Sequence, residues 1–117
     1  MKNVGVIGLG DMGSGLAKNL IKNGFTVKGA DLLPARQLAF DAMGGLLCSN
    51  PAEVGRDVNA VFVMVMKGSE VKDVIFGSDG LLTTMSTGGA IMLSATIKPN
   101  EAREIGDGMA GSGIHLI

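Results

Sequence analysis

Gly8-Leu9-Gly10-Asp11-Met12-Gly13 spells GxGxxG directly after the β-branched run Val4-Gly5-Val6-Ile7. A helical stripe follows it, with Met12, Leu16 and Leu20 every four residues and Ala17 and Ile21 beside them. Each glycine has a separate task in a strand–turn–helix of this kind. Gly8 makes the tight turn out of the strand, Gly10 leaves its backbone open to close approach, and Gly13 lets the helix lie near the sheet. The first-turn N–H groups have no acceptor within the helix and add to its dipole, so an anion is favoured there. Asp31 follows about 20 residues on, at the end of a second predicted strand. A pyrophosphate on the loop and a ribose on the carboxylate is the chemistry that fits this spacing. The candidate binding residues are therefore Gly8, Leu9, Gly10, Asp11, Met12, Gly13 and Asp31.

Asp31 is placed to accept hydrogen bonds from the adenosine ribose hydroxyls. Its charge repels a 2′-phosphate by about 1–4 kcal/mol at 4 Å, depending on screening. Leu32 and Leu33 bring no cation, so NAD is expected over NADP. Arg36 can reach a phosphate from the first turn of the next helix, but its expected role is that of a solvated helix residue. Asp11 is expected to charge the helix start favourably while pointing to water. Val65 and Met66, at the carboxyl end of a strong apolar strand, are placed to line a cofactor groove, or else an ordinary loop. Thr96, after a fifth strand, can donate to a ribose or nicotinamide, or simply cap the next turn. His115 and Cys48 occur once each, without a partner fixed by spacing. They are expected to be packed or surface residues, and they make no metal site.

The elements that must position these residues alternate. After the first strand and helix, Phe25–Ala30 reads as a strand. Pro34 opens a helix whose face is Ala35, Leu38, Ala39 and Ala42, and Gly44-Gly45 ends it. Leu46–Cys48 is a third strand at most, and Asn50 caps a short helix from Pro51 to about Gly55. Ala60–Met66 is the strongest strand. Ser69–Phe76 is a helix on Val71, Val74 and Ile75, and Leu81–Met85 is a helical turn before Gly88-Gly89. Ala90–Ser94 is the fifth strand. Pro99 opens a helix with the stripe Ala102, Ile105, Met109 and Ala110, and Ile114–Ile117 begins another strand. Continuous apolar strands alternating with amphipathic helices imply a parallel sheet covered on both faces. Right-handed crossovers make this a doubly wound, Rossmann-type α/β fold in a single domain.

Composition narrows the function. Apolar residues are 46% and charged residues 18% of 117, which excludes intrinsic disorder. A net charge of −1 and four Phe with no Tyr or Trp argue against a nucleic-acid surface or stacking platform. The longest apolar run, Ala60–Met66, is too short to span a membrane. The start of the chain lacks a secretory leader's pattern. A single cysteine excludes an internal disulfide and fits a cytoplasmic setting.

Met1–Gly24, Ala30-Asp31, the VFVMVM strand and Ser94-Ala95-Thr96-Ile97 together resemble the β-hydroxyacid dehydrogenase family. That family includes 3-hydroxyisobutyrate dehydrogenase, tartronate semialdehyde reductase and L-threonate dehydrogenase, with 6-phosphogluconate dehydrogenase as a relative. GADL at 29–32 and MVMKGSEVKDVIFG at 64–77 are nearest to the L-threonate branch. The resemblance covers the whole chain. It implies cofactor contacts on the 8–13 loop, Asp31, Val65, Met66 and Thr96. Ala95 departs from it, because the family usually has Ser there. The resemblance also implies that the chain is the NAD(P)-binding domain alone, residues 1–117. The family's all-helical catalytic domain would be absent and with it the catalytic lysine, which none of the seven lysines here matches. No catalytic residue is assigned. By the resemblance, the full-length family uses NAD(P) to oxidise the alcohol of small hydroxyacids and forms homo-oligomers. This chain is expected to bind NAD without turnover and to self-associate weakly through Ile114–Ile117. The alternatives are a non-catalytic NAD-sensing domain and a methyltransferase that uses S-adenosylmethionine. The full GxGxxG with Asp31 disfavours the methyltransferase.

Overall fold

The computed structural model describes residues 2–65, 67–94 and 97–117. Six strands form one parallel sheet: β1 Asn3–Ile7, β2 Thr26–Ala30, β3 Leu46–Leu47, β4 Ala60–Val63, β5 Ala90–Leu93 and β6 His115–Leu116. Five α-helices alternate with them: α1 Asp11–Lys22, α2 Pro34–Ala42, α3 Pro51–Gly55, α4 Gly68–Phe76 and α5 Pro99–Met109. A 3₁₀ turn, Leu81–Thr83, takes the place of the helical turn expected up to Met85. The strand order is β3-β2-β1-β4-β5-β6. The chain leaves β1 in one direction and returns to the other side of it at β4. The topological switch point is thus between β1 and β4, where ligands bind in sheets of this kind.

Strand alternation sends side chains to two cores. Val4, Val6 and Val27 point to α1 and α2, where Leu9, Ala17 and Phe40 join them. Ile7, Val61, Val63 and Ile91 point to the other face. There they pack with Val54 of α3, Val71 and Ile75 of α4, Leu81, and Ile105 and Met109 of α5. Asn50 caps α3 as expected, its Oδ1 accepting from the Glu53 N–H at 2.9 Å.

Three expectations about helix faces need correction. On α2 the small-residue stripe Ala35, Leu38, Ala39 and Ala42 lies outward, and Phe40 is the buried residue. Its ring sits over Gly29 of β2 and against Gly45, where added Cβ atoms would collide with it. The largest side chain, fitted into two glycine notches, decides the helix rotation over the period of the smaller ones. On α5, Ile105 and Met109 are buried but Ala102 and Ala110 are exposed. Met12 is 72% exposed, since it sits on the first turn of α1, beyond the end of the sheet.

β4 stops at Val63, so Met64 and Val65 of the expected strand lie beyond it, and Met66 lies outside the described residues. Its partner β1 ends at Ile7, and the last bond of that ladder is Met64 N–H to the Ile7 carbonyl, 2.7 Å. Gly8 then turns away, so later residues have no strand to pair with. β3 and β6 shrink to two residues each at the sheet's edges.

Candidate functional site

Gly8 leaves β1 at φ +92°, and a Cβ there would lie 2.5 Å from the Met64 carbonyl oxygen. Both facts demand glycine. Gly13, one turn into α1, is equally constrained, because a methyl group would strike the Gly8 carbonyl oxygen. This contact brings the α1 backbone directly onto the strand end. Gly10 is different. It is the N-cap of α1 with φ −69° and ψ −166°, a conformation open to any residue. The nearest atoms to a Cβ there belong to the Arg36 guanidinium, 3.5 Å away. The fold requires glycine at 8 and 13 and leaves the space before Gly10 open except for one flexible side chain.

No side chain caps the N-terminus of α1. The N–H groups of Gly10, Asp11, Met12 and Gly13 have no acceptor among the described residues. The other helices of nine or more residues differ only at the residue before the first turn, and at α2 that N–H, of Leu33, goes to Asp31. At α4 the Glu70 carboxylate accepts from the Lys67 N–H, and at α5 the Glu101 carboxylate accepts from the Lys98 N–H. The open N-terminus of α1 therefore combines unsatisfied donors, the positive end of a twelve-residue helix and room for close approach. Asp11 is exposed in the first turn, as expected.

Asp31 stands next to this loop with its side chain 6% exposed. Oδ2 accepts from the Leu9 N–H at 2.7 Å, and Oδ1 accepts from the Leu33 N–H at 2.9 Å. The carboxylate thus ties the glycine loop to the segment that begins α2. Carboxylate oxygens accept more than one hydrogen bond each, so a ribose hydroxyl can still be received at Oδ1. Arg36 is exposed on the first turn of α2, as expected, and also meets Asp31. Its Nη1 lies 3.5 Å from Asp31 Oδ2, and its guanidinium rests over Gly10. Gln37 Nε2 donates to the Asp31 carbonyl at 2.6 Å. The signal for both was a cation and an amide on the first turn of the helix after the acidic residue.

Leu9 is 2% exposed, its side chain in the core on the α1 side. Val65 is half-buried beyond β4, with its Cγ1 beside Gly8 at the switch point. Met66 and Thr96, and Ala95 beside it, lie outside the described residues. Cys48 and His115 do not meet: one follows β3 and the other lies on β6, at opposite edges of the sheet. Burial pushes the Cys48 thiol above its ordinary range, which suits a packed residue and not a nucleophile. Among the described residues no group of His, Cys, Asp and Glu could hold a metal ion, and no helix is long and apolar enough to cross a membrane. An open depression lined by Asn59, Ser86 and Thr87 lies at the amino ends of β4 and β5, away from the loop.

Comparison with known proteins matches residues 3–117 to the NAD binding domain of 6-phosphogluconate dehydrogenase. The chain is 36% identical over 116 residues to an L-threonate dehydrogenase of Cupriavidus necator, covering 99% of this chain and 39% of that protein. It is 33% identical over 102 residues to the mitochondrial 3-hydroxyisobutyrate dehydrogenase of Mus musculus, covering 87% and 30%. The crystal structure of a 3-hydroxyisobutyrate dehydrogenase from Salmonella typhimurium superimposes with a TM-score of 0.90 at 31% identity, covering 99% of this chain and 40% of that one. The chain thus spans two fifths or less of the length of these relatives.

Proposed function

The chain belongs to the family of the NAD binding domain of 6-phosphogluconate dehydrogenase, and on that premise we propose that it binds NAD for a hydroxyacid dehydrogenase. The loop Gly8–Gly13 receives the pyrophosphate, Asp31 receives the adenosine ribose, and Val65 lines the groove toward the nicotinamide. Met66 and Thr96 belong to the same proposed groove. The observation that carries this reading is Gly10: a glycine the fold does not require, placed at the uncapped N-terminus of α1.

The bound nicotinamide would supply hydride transfer to or from the alcohol carbon of a small hydroxyacid, such as 3-hydroxyisobutyrate or L-threonate. The chain's own residues bind and orient. The first-turn N–H groups hold the pyrophosphate without reorganisation, because α1 already fixes their direction. Asp31, held by Leu9 and Leu33, keeps the ribose side of the loop in register. No residue among the 117 is assigned to proton transfer, so binding without turnover is the proposed behaviour of this chain. The carboxylate of Asp31 favours NAD over NADP by repelling a 2′-phosphate.

The test is a fluorescence titration of NADH and, separately, NADPH with the purified chain. The sequence has no Trp or Tyr to interfere. Saturable binding with NADH tighter than NADPH is the expected result. Absence of saturable binding for both overturns the reading, and equal binding of both overturns the role given to Asp31.

A further inference from the structure

We propose that Glu101 is a positioning residue for the nicotinamide end of the groove: its carboxylate fixes the spacing of the two chain segments that leave β4 and β5. The proposal rests on the dinucleotide reading above and deepens it. The two segments start together, because the Ser94 N–H donates to the Val63 carbonyl at 3.0 Å where the strands end. Each then runs to the N-cap of a helix, Lys67 before α4 and Lys98 before α5. Glu101 joins them again at that far end. Its Oε1 accepts from the Lys98 N–H at 3.0 Å. The same carboxylate fills a notch at Gly68, the buried first residue of α4, where an added Cβ would collide with both of its oxygens. Gly68 does not have a positive φ. The backbone there does not call for glycine, and the seat of the carboxylate does. One anion thus lies at the positive ends of two helices. Glu70 makes the corresponding bond at α4 but is exposed, whereas Glu101 is half-buried. A capping box needs only the bond within its own helix, so the contact with α4 is additional.

The place of this clamp defines its effect. The order β2-β1-β4-β5 puts it across the switch point from Asp31, and Val65 lies on the first of the two segments it spaces. Farther along, α4 and α5 have their own contacts, the Lys72–Glu104 ion pair and the Phe76 ring against Gly108. Loss of the Glu101 carboxylate therefore releases the segments at the sheet edge and leaves the helices packed. The adenosine ribose on Asp31 should not sense it, and the nicotinamide half should.

The experiment measures by calorimetry the binding of NADH and of ADP-ribose, which lacks the nicotinamide, to the unaltered chain, Glu101→Ala and Glu101→Gln. Urea denaturation confirms that the variants fold. In Glu101→Ala the NADH affinity should fall about tenfold, as for loss of a hydrogen bond to a charged acceptor, with ADP-ribose bound as by the parent. Glu101→Gln should restore NADH binding, because its amide oxygen can still accept from Lys98. Gly68→Ala, which displaces the carboxylate without altering Glu101, should reproduce the selective loss. A general loosening of the fold would weaken both ligands together. That result, an unchanged NADH affinity in Glu101→Ala, or a Gln variant as weak as the Ala variant overturns the proposal. If the unaltered chain binds neither ligand, the dinucleotide reading itself has failed and the proposal falls with it.

Discussion

The two faces of the sheet are built in different ways. Against α3, α4 and α5, fifteen described residues are buried in one continuous cluster, with Val54, Val61, Val63, Val71, Ile75, Leu81, Ile91 and Ile105 fully enclosed. Against α1 and α2 only six are buried, and Leu16, Leu20, Phe62 and Met64 pack around them half-exposed. The helix ends differ as well. α2, α3, α4 and α5 use Asp31, Asn50, Glu70 and Glu101 at their N-termini, whereas α1 uses no side chain among the described residues. The thinner face carries the glycine loop. There the α1 backbone closes on the end of β1 at Gly13, with Ala17 buried in the same helix. The contrast teaches where stability and binding reside. The enclosed face holds the fold, and the face with small residues leaves backbone donors free.

Ile75→Ala tests the first half of this contrast and should show the largest effect. Ile75 is fully buried on α4, so its truncation should cost about 2–5 kcal/mol, the usual range for an enclosed aliphatic side chain. Leu20→Ala on α1 should cost about 1 kcal/mol, because the side chain is only half-buried. Urea unfolding of both variants checks the difference. Equal losses would mean that the α1 face is as tightly packed as the other.

Gly13→Ala and Gly10→Ala sharpen the second half. The methyl at 13 meets the Gly8 carbonyl oxygen, a backbone atom that cannot step aside. Overpacking of this kind costs about 1–3 kcal/mol. At 10 the neighbour is a mobile guanidinium, so stability should stay within about 0.5 kcal/mol, as for surface changes generally. NADH affinity should nonetheless fall at least tenfold, since the methyl occupies the space before the loop. A Gly10→Ala variant that binds NADH like the parent would remove the observation on which the proposed function stands.

Much of this architecture was legible in the sequence because period and punctuation agreed. The β-branched runs, Pro34, Pro51 and Pro99 at helix starts, and the glycine loop each identify an element the structure contains. Asp31 was also placed beside the loop from spacing alone, although its bonds to Leu9 and Leu33 were not foreseen. What escaped depends on contacts between distant parts of the chain. The orientation of α2 follows from Phe40 fitting over Gly29 and Gly45, and periodicity within the helix carries no record of that notch. The end of β4 follows from the end of β1. The meeting of the exposed Arg36 with Asp31 and Gly10 likewise arises only in three dimensions.

Cys48 gives the smallest and most local probe of the enclosed face. It packs half-buried at that cluster's margin, after β3, with its N–H bonded to the Gly29 carbonyl. Burial raises its thiol above the ordinary value of 9.0, and Lys28 opposes this. An acid whose value is raised in the folded state binds its proton more tightly there. Its contribution to stability is therefore complete below pH 9 and declines as pH rises through the raised folded value. Cys48→Ser removes that titration. The stability difference between parent and variant should be flat from neutral pH to about 9 and should shift against the parent above it. Alkylation of the native thiol at pH 8 should also be slower than in the urea-unfolded chain, since only the thiolate reacts. A flat difference across the alkaline range, with equal alkylation rates, would show that the margin of the enclosed face is as wet as the α1 side.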